Sequence, residues 1–226
     1  MNMNMFEQFA SPEFFYTPTT ILSVMIPVLL VYNKPKLLGN RTTTTFIWLL
    51  KMILMNMTKQ LSPNGQKWCH ILTSLLLLIL MSNLLGLLPY TFTPTSQLSV
   101  NMAMAIPLWL ATVTTGMMKK PSISLAHLLP ENSPTTLIPF MILIETISLL
   151  MRPLALGVRL TANITAGHLL ITMISSTTLN LIHTYTPLST FTLTLLFLLT
   201  LLELAVACIQ AYVFTLLIIL YLQENT

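Results

Sequence analysis

Aspartate is absent from this chain, and charge of either sign is scarce: six glutamates stand against ten lysines and arginines in 226 residues. Charged residues make up 7% of the whole, where a soluble domain carries about 25%. With 54% hydrophobic residues and a mean hydropathy of +0.80, that deficit excludes a soluble globular domain. Cysteine occurs only as Cys69 and Cys208, both at or inside apolar runs. A disulfide framework has too little to build on, and isolated buried thiols are the expectation. No G-x-x-x-x-G-K-[ST] cradles phosphate. No Cys/His spacing suits zinc or an iron–sulfur cluster, and the histidines do not form the two facing pairs that bis-histidine haem needs. No metal or cofactor is expected. The formal charge of +4 is not gathered into a basic cluster interleaved with aromatics, so it points to loop topology and not to nucleic acid.

A basic N-terminus is missing as well. MNMNMFEQFASPEFF has Glu7 and Glu13 and no cation before Lys34, so it fits neither a signal peptide nor an Arg-rich transit peptide. A chain this apolar without an import signal is expected to be bacterial or made inside the organelle that uses it. Fifteen methionines and many threonines point to the organelle.

What is present is a series of apolar spans, read as a single membrane domain over 1–226. Residues 14–32 carry no charge and suffice to cross a hydrocarbon core of about 30 Å; Pro18 and Pro27 are tolerable there. In 41–61, by contrast, Arg41, Lys51 and Lys59 gather on one side of a helical wheel with Thr45 and Asn56. Phe46, Leu50, Ile53, Leu54 and Met57 gather on the other. That pattern predicts a helix lying in the interface. SPNG at 62–65 follows as a turn. Residues 68–88 and 98–118 form a spanning pair closed by Lys119, Lys120 and Pro121. By the positive-inside rule, the loop 33–67 and the Lys119–Lys120 pair lie inside, while the N-terminus and the loop 89–97 lie outside. His127 and Glu131 fall in a Pro-interrupted connection and read as solvated loop residues. Residues 135–180 and 188–222 would then be about 69 Å and 52 Å long if helical, so they must be broken, kinked or strongly tilted, and Pro139, Pro153, Gly157 and Gly167 offer places to bend. The short link HTYTP makes them antiparallel neighbours.

Ionisable groups at membrane depth cost at least about 2.5–3.5 kcal/mol each and by default mark function. On a wheel of about 100° per residue, Glu145, Ser148, Arg152, Arg159 and Asn163 share an arc of about 60°, with Ala155, Ala162 and Ala166 beside it. Small side chains there admit a close neighbour. Arg159 cannot shed its proton and has no acid three or four residues away, so it awaits an anion. Arg152 reads as a structural ion pair with Glu145. His168 faces elsewhere, toward the last helix, where Glu203 and Gln210 share a side. A satisfied core histidine is the plain alternative for His168; the unpaired Glu203 favours a proton path. Glu145, Glu203 and His168 can bind and release protons, and Arg159 can hold a carboxylate ionised.

Three stretches carry a resemblance: RPLALGVRLTANITAGHLL, HLLPENSP upstream, and ELAVACIQAYVFTLL downstream. They resemble the a subunits of F-type ATP synthases in their animal mitochondrial, organelle-encoded form, over essentially the whole chain. The resemblance implies an all-α polytopic membrane protein: about five membrane-embedded helices plus one interfacial amphipathic helix, the last two long, tilted and forming an antiparallel hairpin. It implies a non-enzymatic proton-conducting stator in the mitochondrial inner membrane. The N-terminus would face the intermembrane space, the basic loops and C-terminus the matrix. The partners implied are protons, lipid, peripheral-stalk and other membrane-sector subunits, and a rotor ring whose carboxylates would be Arg159's anion. His168, Glu203, Asn163 and Gln210 would belong to the path from the intermembrane space and Glu145 to the path toward the matrix. A proton-coupled transporter would be expected to show repeats or broken-helix pairs, and none is found. A structural subunit of a respiratory complex would tolerate loss of Arg159.

Overall fold

The computed structural model describes residues 9–10, 12–14, 17–31, 40–60, 65–88, 91–119, 121 and 137–225. The expectations for the N-terminal residues 1–8, Lys34 and Lys36, the turn residues 62–64, Lys120, and the connection with His127 and Glu131 lie outside the described residues. Six α-helices account for most of those described: α1 (Thr19–Val31), α2 (Arg41–Gln60), α3 (Cys69–Gly86), α4 (Leu98–Lys119), α5 (Ile138–Thr184) and α6 (Thr186–Asn225). A two-residue antiparallel pair, Glu13–Phe14 with Thr17–Pro18, does not alter the all-α class.

The N-terminal span is shorter than the sequence predicts. Thr17 and Pro18 are extended, because Pro18 has no N–H to continue a helical ladder and disfavours the helical region for Thr17 before it. Thr19 N–H donates instead to Pro12 O at 3.3 Å, and α1 begins there. Its 13 residues reach about 20 Å, short of a hydrocarbon core. Among the described residues, four stretches are long and apolar enough to cross a membrane: Gln66–Gly86, Leu98–Lys119, Ile138–Ile182 and Thr186–Glu224. The chain is a multi-pass membrane protein.

Prolines and glycines do not break the long elements. α5 is one helix of 47 residues through Pro153, and α6 continues for 40. At about 70 Å and 60 Å, helices of this length stay within a 30 Å layer only by lying oblique to its normal. Their hairpin turns on one residue. Tyr185 N–H donates to Leu181 O at 2.9 Å, and Tyr185 O accepts from Ser189 N–H at 3.1 Å. The same residue thus closes one backbone ladder and opens the next. Hydroxyls along both helices are satisfied locally. Thr146, Thr172, Thr177, Thr192 and Thr200 each donate to the carbonyl three residues back, at 2.8–3.0 Å.

Two compact units divide the chain. The first comprises Met1–Asn33, Leu77–Val100 and Arg159–Tyr212. Its buried residues include Ile79, Asn83, Leu160, Ile164, Ala207 and Ala211. The second comprises Lys34–Leu76, Asn101–Val158 and Val213–Thr226, buried around Leu72, Ala105, Leu156, Phe214 and Ile218. In the second, small or polar residues on α4 (Asn101, Ala105, Thr112 and Gly116) face inward. Gly157 of α5 lets Met102 come so close that a Cβ would sit 2.5 Å from its sulfur.

Candidate functional site

In the first unit, Glu203 points from α6 onto the backbone of α5. It is only 9% exposed, and its carboxylate rests against Gly167, where an added Cβ would lie 2.7 Å from Oε1 and 3.1 Å from Cδ. The sequence suggests Gly167 as a place to bend. Its observed role is different: without a side chain there, the carboxylate reaches the helix surface beside His168. His168 Nε2 lies 3.9 Å from Glu203 Oε1, beyond a direct hydrogen bond but within a small side-chain rotation of one. Among the described residues, Oε1 has no hydrogen-bond partner. An acid with a free acceptor oxygen, beside an imidazole that can take or give a proton, is an arrangement for proton exchange.

One turn further along α6, Asn83 of α3 donates its amide to Ala207 O at 3.4 Å. Asn83 is 2% exposed, and its Oδ1 has no partner among the described residues. The sequence reading missed this residue, although a lone amide inside LLLLILMSNLLGLL was a visible signal. Asn163 of α5 and Gln210 of α6 are partly exposed. Arg159 is exposed, as are Ala162 and Ala166 after it on α5. Among the described residues Arg159 makes no ion pair.

In the second unit, Arg152 departs from its expected partner. Glu145 lies two turns away on the same helix, about 10 Å along its axis, too far for contact. Arg152 Nη1 instead meets Glu224 Oε2 from the last turn of α6 at 2.5 Å. Its guanidinium also lies 5.1 Å from the ring centre of Tyr221. Two partners one turn apart on α6 therefore hold a single cation. Glu145 is partly exposed. Among the described residues, no three His, Cys, Asp or Glu side chains gather as they would around a metal ion, and both cysteines are free.

Helices of spanning length, with an imidazole and a carboxylate brought together between the two longest, define a polytopic membrane protein with ionisable side chains inside its spans. Residues 14–223 match the model of the family described as ATP synthase A chain, and the chain belongs to that family. It is 75% identical over 226 residues to the ATP synthase F(0) complex subunit a of Lycodon semicarinatus, covering 100% of both chains. Identity to the subunit of the same name is 59% over 226 residues in Struthio camelus, again covering both chains fully. In Alligator mississippiensis it is 55% over 225 residues, covering 99% of this chain and 100% of that one.

Proposed function

We propose that the chain is the proton-conducting stator of an ATP synthase membrane sector, working as one membrane domain in the mitochondrial inner membrane. The observation that carries this reading is Glu203: a carboxylate seated on Gly167, 3.9 Å from His168, in helices long enough to span. Protons from the intermembrane space would reach the rotor through His168 and Glu203, with Asn163 and Gln210 holding water along the way. The exposed guanidinium of Arg159 would meet each rotor carboxylate in turn, favour its ionised form, and repel a proton attempting to cross directly. Glu145 would receive released protons on the matrix side. At 100 mV each proton carries about 2.3 kcal/mol, so several must pass per nucleotide made. The chain itself performs no covalent chemistry.

The test compares ATP-driven proton pumping and passive proton leak in vesicles carrying the whole complex, with Arg159 intact and with Arg159→Ala. Loss of pumping with leak kept or raised is expected, because the barrier between the two paths loses its charge. Pumping near the normal rate would overturn the reading.

A further inference from the structure

The face of α2 that meets the surroundings is not the one its sequence pattern suggests. Met57, on the apolar side, is 3% exposed, and the carbonyl of Leu54 lies 3.9 Å from the Cys69 sulfur at the start of α3. That side is turned to the chain itself. The outward side mixes cations with large apolar groups. Trp48 is 62% exposed, Met55 50% and Met52 45%, spaced as one ridge on the helix. Arg41, Lys51 and Lys59 are exposed beside them, all six within one arc of about 100°. No acid occurs anywhere in α2. Thr44, on the same side, donates its hydroxyl to Arg41 O at 2.8 Å, so its polar group is spent on its own backbone.

We propose that this outward face of α2 seats on an anionic phospholipid surface. Trp48, Met52 and Met55 enter the headgroup–acyl boundary, and Arg41, Lys51 and Lys59 reach phosphate oxygens. Charge complementarity selects this occupant: three cations with no anion among them face the negative surface of a leaflet. An indole and two thioethers between the cations match the half-wet, half-apolar boundary. The inference stands on α2 alone and does not require the proton path.

The experiment places the assembled complex in phosphatidylcholine vesicles containing a phosphatidylglycerol with a photoactivatable acyl chain. Adducts are mapped by peptide mass spectrometry and compared with those of an equivalent phosphatidylcholine probe. The expected result is labelling of the 48–55 segment by the anionic probe well above the neutral one. Each cation contributes about five-fold at such a surface, so neutralising two in K51Q/K59Q lowers that labelling about twenty-five-fold. The comparison of probes on the unsubstituted complex needs no variant. Equal labelling by both probes, or none, overturns the proposal. So does carbodiimide coupling of Lys51 or Lys59 to carboxylates of a neighbouring subunit without lipid adducts, which would place an acidic protein segment there instead.

Discussion

His168 and Glu203 lie 3.9 Å apart with side chains 23% and 11% exposed, whereas Arg152 and Glu224 meet at 2.5 Å with side chains 26% and 46% exposed. Contact is tighter where water is nearer. A buried pair left slightly open costs stability, because one carboxylate oxygen goes unsatisfied. A closed pair of charges in partial contact with water adds only about 0.2–1 kcal/mol. Composition separates the two units in the same way. The first contains a single Lys or Arg, Arg159, within its residue ranges, while the other nine fall in the second. The open pair has two members whose side chains can take or give a proton. The closed one has a guanidinium that does not.

Replacing the acid of the open pair gives the largest expected effect. Glu203→Gln keeps the shape and removes the titrating group, and ATP-driven pumping in vesicles falls by about a hundred-fold while the complex still assembles. Pumping within a few-fold of normal would erase the distinction between the two pairs. Gly167→Ala is expected to cost less, about ten-fold in pumping, by pushing the flexible end of Glu203 away from His168. Alanine improves a helix by up to about 1 kcal/mol over glycine, so thermal stability holds or rises as activity drops. A parallel loss of both would make Gly167 a packing residue only. The closed pair should show the reverse. Arg152→Ala lowers stability by about 1–2 kcal/mol through the lost ion pair and ring contact, with pumping changed less than by either substitution above. A double-mutant cycle with Glu224→Gln, read by thermal unfolding of the complex, gives a coupling of about 0.2–1 kcal/mol. Zero coupling would mean the contact does not hold the end of α6.

Much of this was legible because an apolar background isolates every ionisable residue: Glu145, Arg152, Arg159, His168 and Glu203 declare themselves in a run otherwise fit for lipid. The near-symmetric spacing of His168 and Glu203 about the short link also makes their facing readable. What the sequence could not give was contact. A wheel assigns a face to Arg152 but not its partner. Mirrored about Tyr185, Arg152 would fall at Ile218, and Glu224 lies nearly two turns beyond. Glu224 therefore becomes its partner only through side-chain reach and the actual register of packing. Gly167 was misread because a glycine in a helix signals a bend and a close approach equally well. α2 was half legible. Its two sides separate on the wheel, but which side meets protein depends on what packs against Met57 and Leu54. The length of α1 was hidden by Pro18, which composition counts as compatible with a span although the chain there is extended.

The threonines of α5 and α6 carry a consequence for how such a sequence changes over time. A hydroxyl already bonded to the carbonyl three residues back presents mainly its methyl group to lipid, so it behaves there as a small aliphatic side chain. Exchanges among Thr, Ala, Ile and Met on the outer surfaces of these helices should drift nearly neutrally. An amide or a charge arriving at the same place cannot fold onto its own backbone so completely, and would be removed. A Thr-rich inventory here is therefore a record of permissive positions, while Asn83, Asn163 and Gln210 stand out because none of them has that freedom.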